Sequence, residues 1–102
     1  MILSEAEKAR LKADVVSCLS TDPEICRIVV FGSFLRSPSP EDMDIAVFQE
    51  STETYLALAL KYRRQTREIS RRMPLDIIPL RADRRGDPFL DEVCAGEVIY
   101  ER

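Results

Sequence analysis

Histidine and tryptophan are absent from these 102 residues, and glycine and cysteine occur only three times each. Without histidine there is no Ser-His or Cys-His nucleophile system and no imidazole for zinc. Carboxylates, hydroxyls, thiols and basic side chains are left to carry any chemistry. Cys18, Cys26 and Cys94 are odd in number, far apart and form no C-x-x-C pair, so neither a disulfide framework nor a zinc cluster is indicated. They are expected as buried or half-buried thiols in a reducing cytoplasm. No stretch approaches the roughly 18 apolar residues of a membrane span, and Met1-Ile2-Leu3 runs straight into charged residues instead of a signal-peptide apolar region. A soluble protein with no membrane partner is the expectation. Excess positive charge is lacking too: the formal net charge is -3, so any attraction to nucleic acid has to be local.

What is present is an ordinary globular composition, 45% hydrophobic and 32% charged, enough for one compact core and a single domain over residues 1–102. Ser4 and Glu7 make a capping-box signature, and Leu11, Val15, Cys18 and Leu19 follow at helical spacing, predicting a helix over 4–19. Thr21-Asp22-Pro23 breaks it. Ile25 to Phe31, rich in β-branched residues, reads as a buried strand ending at Gly32. Phe34-Leu35-Arg36 has room for one helical turn before Ser37-Pro38-Ser39-Pro40, whose prolines forbid its continuation.

A second strand is expected over Met43 to Phe48. Next comes a helix capped by Ser51 and reaching about Arg72, with Tyr55, Leu56, Ala59, Leu60, Tyr62 and Ile69 inward. A third strand, Leu75 to Leu80, contains Pro79, which places it at an edge or a strand terminus. Asp87-Pro88 opens a short helix over 88–95 with Gly96 as its C-cap, and Val98 to Tyr100 has the makings of a last strand. This order predicts an α+β, two-layer fold, a small mixed sheet of three to four strands packed against helices. No internal repeat or linker interrupts it.

Three acids stand out. Side chains alternate along a strand, so Asp42 and Asp44 share one face, and like charges so placed repel unless cations sit between them. Asp76 falls in an otherwise apolar strand, where an acid needs a partner. Each has a plain alternative: solvated acids at a strand end, a buried acid paired with arginine, and for Gly32-Ser33 an ordinary turn. One site accounts for all of them together. Gly32 lets the backbone approach a triphosphate, Ser33 offers its hydroxyl, and free N–H groups of the next turn face phosphate. Asp42 and Asp44 hold Mg²⁺, while Asp76 touches a second ion and takes the proton from an attacking hydroxyl, giving in-line nucleotidyl transfer.

The segments IVVFGS, DMDIAV and LDII, in this order and with a Gly-Glu-Val-Ile-Tyr ending at 96–100, resemble the minimal nucleotidyltransferase (MNT) domains of the polymerase-beta-like superfamily over nearly the whole chain. The resemblance implies the nucleotidyltransferase fold, two Mg²⁺ ions, an NTP donor with ATP expected, and phosphate contacts from Gly32 and Ser33. Stand-alone domains of this size are typically antitoxins paired with an all-helical HEPN ribonuclease toxin, which some of them adenylylate. The family often carries a second glycine where Arg36-Ser37-Pro38 stands here, and a serine where Glu41 stands. A non-catalytic module that neutralises its partner by contact is the alternative. The helix with Lys61, Arg63, Arg64, Arg67, Arg71 and Arg72 reads as a solvated face, and nucleic acid is disfavoured as its ligand. Arg81, Arg84 and Arg85 lie where they could reach phosphate or a partner. Tyr55 and Tyr62 read as core.

Overall fold

The computed structural model describes residues 2–83 and 88–102. Ser4 caps the first helix as its spacing predicts: its hydroxyl accepts from the Glu7 N–H at 3.1 Å and its own N–H donates to the Glu7 carboxylate at 2.9 Å. The helix, α1, runs Glu5–Leu19 and buries Leu11, Val15 and Leu19. Then come β1 (Ile25–Phe31), a single turn α2 (Ser33–Arg36), β2 (Met43–Gln49), α3 (Tyr55–Gln65), the short α4 (Arg67–Ser70), β3 (Leu75–Arg81), α5 (Pro88–Cys94) and β4 (Glu97–Glu101). The expected cap Asp87 and the basic pair Arg84 and Arg85 lie outside the described residues. No described helix is long and apolar enough to cross a membrane.

The four strands form one mixed sheet in the order β3-β2-β1-β4. β1 pairs antiparallel with β2 and β4, and β2 pairs parallel with β3. The parallel pair needs the long crossover that α3 and α4 supply. Strand alternation divides the interior in two. Ile28, Val30, Met43, Ile45 and Val47 meet α1 and α3 in the larger core, while Val29, Phe31, Ala46 and Phe48 meet Val93 of α5 in the smaller one. β3 is an edge strand, which accommodates Pro79.

Four sequence expectations need correction. The crossover helix starts later and is broken. Thr54 caps it, accepting from the Ala57 N–H at 3.2 Å, and Ser51 instead closes a turn on Glu53. At Thr66, φ -109 and ψ 15 leave the helical region, and the threonine hydroxyl donates to the Tyr62 carbonyl at 2.8 Å, a back-bond that bends helices.

The inward stripe of α3 is Leu58, Ala59 and Tyr62, whereas Tyr55 (59%), Leu56 (67%) and Leu60 (45%) are exposed. Leu56 and Leu60, four residues apart, stack along a second face that the apolar pattern could not separate from the first. Cys94 is exposed, although Cys18 and Cys26 are half-buried as expected. Finally, Gly96 is no left-handed cap, because among the described residues only Gly32 has positive φ.

Gly96 is required for space. A Cβ there would collide with the Val30 carbonyl oxygen and lie 2.9 Å from Phe31 Cβ. Gly96→Ala is therefore expected to force β4 away from β1 at a cost of about 1–3 kcal/mol. In thermal melts this would appear as a fall of at least about 4 °C. An unchanged melting temperature would show that the chain after α5 has slack to give.

Candidate active site

β1 delivers the backbone to a turn that only glycine adopts comfortably. Gly32 has φ 79 and ψ -155, a region essentially closed to residues with a Cβ. This lets the chain leave the sheet at Phe31 and start α2 at the exposed Ser33 without crossing β2. A Cβ on Gly32 would lie 2.5 Å from Asp44 Oδ2, so the turn and that carboxylate are in direct contact range.

The loop beyond α2 is tied down from α1. The buried Lys8 donates from Nζ to the Ser37 carbonyl at 2.6 Å and lies 5.5 Å from the Phe34 ring centroid. The Leu3 N–H donates to the Pro38 carbonyl at 2.8 Å. Sequence reading missed Lys8, whose only signal was its place on the inner stripe of α1, three residues before Leu11 and seven before Val15.

The carboxylates come together through register. The Met43 N–H donates to the Pro74 carbonyl at 2.9 Å, which sets β2 beside β3 so that Asp44 pairs directly with Asp76, while Phe31 pairs with Asp44 on the other side. Parallel neighbours lie about 4.8 Å apart, and these two side chains project from the face that carries Ala46, Ile78 and Leu80. Asp42 immediately precedes β2 and is exposed. Asp76 is exposed as well, which corrects the expectation of an acid in a buried position: at the sheet edge it meets water and needs no arginine.

Asp44 is half-buried, and its carboxyl is pushed above the ordinary aspartate value by burial first, then by Asp42, Asp76 and Glu92. Glu92 is a fourth acid that sequence reading did not single out. It comes from α5, whose Phe89 ring meets Phe31 edge-on at 5.6 Å between centroids, setting that helix over the end of β1. Nothing in the local pattern of α5 locates it relative to β2, so the sequence alone held no signal for Glu92.

Among the described residues no three carboxylate or thiol side chains close around a single point as a ready cage for a metal ion. Asp42 and Asp76 are exposed and Asp44 is half-buried, so the acids face solvent and not an enclosed cavity. Of the basic residues expected nearby, Arg81 is paired with Asp83 at 3.3 Å. Tyr62 is core, as expected, with its hydroxyl donating to Glu24 at 3.2 Å.

A mixed sheet flanked by helices, with a glycine turn at the end of β1 and paired aspartates on β2 and β3, is the architecture of nucleotidyltransferases. Sequence comparison agrees: the family described as polymerase beta, nucleotidyltransferase matches residues 13–102. The chain belongs to that family. Among solved structures it is similar to a chain of the toxin–antitoxin complex MntA–HepT, with 18% identity, a TM-score of 0.62, and coverage of 92% of this chain and 73% of that one. It is also similar to a chain of the tri-AMPylated Shewanella oneidensis HEPN toxin in complex with MNT antitoxin, with 19% identity, a TM-score of 0.64, and coverage of 93% and 73%. At these identities the likeness establishes a shared fold. No curated protein matches the sequence.

Proposed function

We propose that residues 1–102 form one minimal nucleotidyltransferase domain that moves AMP from ATP to a hydroxyl on a HEPN-type partner protein in the cytoplasm, acting as an antitoxin. The observation that carries this reading is the pairing of Asp44 with Asp76 across β2 and β3, beside Asp42 and against the Gly32 turn. The donor set is all hard oxygen, which suits Mg²⁺ and not a thiolate-seeking metal. Mg²⁺ commonly uses one or two carboxylates together with substrate phosphates and waters, so an open rim of acids fits it better than a closed cage would. Asp42, Asp44 and Asp76 would hold it, and when bound it would supply the positive charge that offsets both the triphosphate and the clustered acids.

The chain's own groups do the rest. Gly32 admits the triphosphate close to the backbone, where the first N–H groups of α2 lack helical partners and can donate to it with the Ser33 hydroxyl. Asp76 accepts the proton as the acceptor oxygen bonds to the α-phosphorus. The bond from that phosphorus to the bridging oxygen breaks, and pyrophosphate leaves. The similarity to chains of MNT–HEPN complexes supports a helical partner as the source of the acceptor.

The test is incubation of the chain with Mg²⁺, each α-labelled NTP in turn, and the HEPN protein that purifies with it. Label from ATP appearing on the partner, and lost when EDTA is added, is the expected result. Stable complex formation with no label from any NTP would remove the transferase reading and leave neutralisation by contact.

A further inference from the structure

The exposed face of α3 and α4 departs from a solvated surface in two respects. Among the described residues, three of the five exposed large hydrophobic side chains lie within six residues of α3, namely Tyr55, Leu56 and Leu60. Arg63 and Arg64 continue the Leu56–Leu60 stripe at helical spacing, Arg67 follows as the first residue of α4 beyond the break at Thr66, and none of the three makes an ion pair among the described residues. The neighbouring cations are paired: Lys61 with Asp22 at 3.1 Å and with Glu24, Arg71 with Glu68 at 3.2 Å, Arg72 with Asp14 at 2.6 Å. A groove of about 500 Å³ runs beside the three arginines and Leu60 and is floored by Leu75 and Ile77 of the edge strand β3. Asp76 sits between those two floor residues, with its side chain on the opposite face of the strand.

We propose that this groove is a docking surface for an amphipathic helix of a partner protein, one presenting an apolar side chain to Leu60 and acidic side chains to Arg63, Arg64 and Arg67. Charge complementarity selects the acid. Side chains at i, i+3 and i+4 form ridges that pack into the grooves of another helix, so a helix is the matching element, and arginine and tyrosine are enriched at protein interfaces. Nucleic acid would be drawn to a broader basic field than three arginines in a chain of net charge -3. A second copy offering its acidic rim would make a head-to-tail, open-ended contact that covers the aspartates. The inference rests on the reading that this chain acts with a partner protein, and it locates where that partner is held: on the strand that carries Asp76.

The measurement is fluorescence anisotropy of a synthetic helical peptide, with leucine and glutamates at i, i+3, i+4 and i+7, titrated with the full chain at low and at physiological salt. Saturable binding is expected, weakened at least about tenfold, or roughly 1.4 kcal/mol, by Arg63→Glu with Arg67→Glu and likewise by Leu60→Asp. The milder Arg63→Gln with Arg67→Gln guards against misfolding and should fall between. No peptide binding, equal binding by the variants, equal binding of the peptide with leucine replaced by serine, tighter binding of a single-stranded oligonucleotide, or self-association lost in the variants would each overturn the proposal. Calorimetry of Mg²⁺–ATP binding separates the two readings. Peptide binding without nucleotide binding would sink the proposed reaction alone, and nucleotide binding with an inert groove would sink this inference alone.

Discussion

Asp44→Asn is expected to make the protein more stable and, at the same time, to abolish nucleotidyl transfer. Burial and the charges of Asp42, Asp76 and Glu92 raise the Asp44 pKa above its ordinary value. The folded state therefore holds the Asp44 proton more tightly than the unfolded chain does. Between the ordinary aspartate pKa and the raised folded value, stability falls as pH rises, and above the folded value the penalty is complete. Asparagine keeps the shape and carries no charge, so it removes the penalty at neutral pH. Thermal melts from pH 4 to pH 8 should show the variant's advantage absent at the acid end and present, at a few degrees, at the neutral end. Millimolar Mg²⁺ should then raise the melting temperature of the parent and leave the variant nearly unmoved.

Activity should respond in the opposite direction. Losing a carboxylate that holds the metal costs several kcal/mol of charge stabilisation in the transition state, about a thousandfold or more in rate. A variant that melts lower than the parent at neutral pH would mean that the Asp44 charge is already satisfied within the chain. The shared rim of acids would then be the wrong account of the site.

Much of this geometry was legible in the sequence because it is written in local, periodic terms. The Ser4–Glu7 box, the β-branched run into Gly32 and the alternation that puts Asp44 opposite Met43, Ile45 and Val47 each follow from one element's own pattern. Asp42, Asp44, Asp76 and the Gly32 turn were located that way, and the structure sets Asp44 beside Asp76 and against the Gly32 turn. What escaped depends on how elements are set against each other. Tyr55, Leu56 and Leu60 look inward on a list of apolar residues, but α3 turns only its Leu58, Ala59 and Tyr62 face to the core. Asp76 looks buried among Leu75, Ile77 and Ile78 until β3 proves to be the edge strand. Gly96 resembles a helix cap, yet its role is set by β1, more than sixty residues away in the chain. Lys8 reaches the loop after α2, and Glu92 reaches Asp44, only through the packing of α1 and α5.

Gly32→Ala is the second substitution with a large expected effect, and two separable costs contribute to it. The backbone at φ 79 and ψ -155 costs a residue with a Cβ about 1–3 kcal/mol. The new methyl would also lie 2.5 Å from Asp44 Oδ2, so either the turn or the carboxylate must move. A cycle with Asp44→Ala separates them. In the parent, Gly32→Ala should lower stability by both costs together, and in the Asp44→Ala background only the backbone share should remain. Transfer should fall at least about a hundredfold with Asp44 intact, since displacement of a reacting group by about 1 Å has that effect. Ser33→Ala, which leaves the backbone path alone, should lose far less. If Gly32→Ala costs the same stability in both backgrounds, the methyl does not meet Asp44. The turn then shapes the phosphate side of the site alone, without also setting the position of the acid.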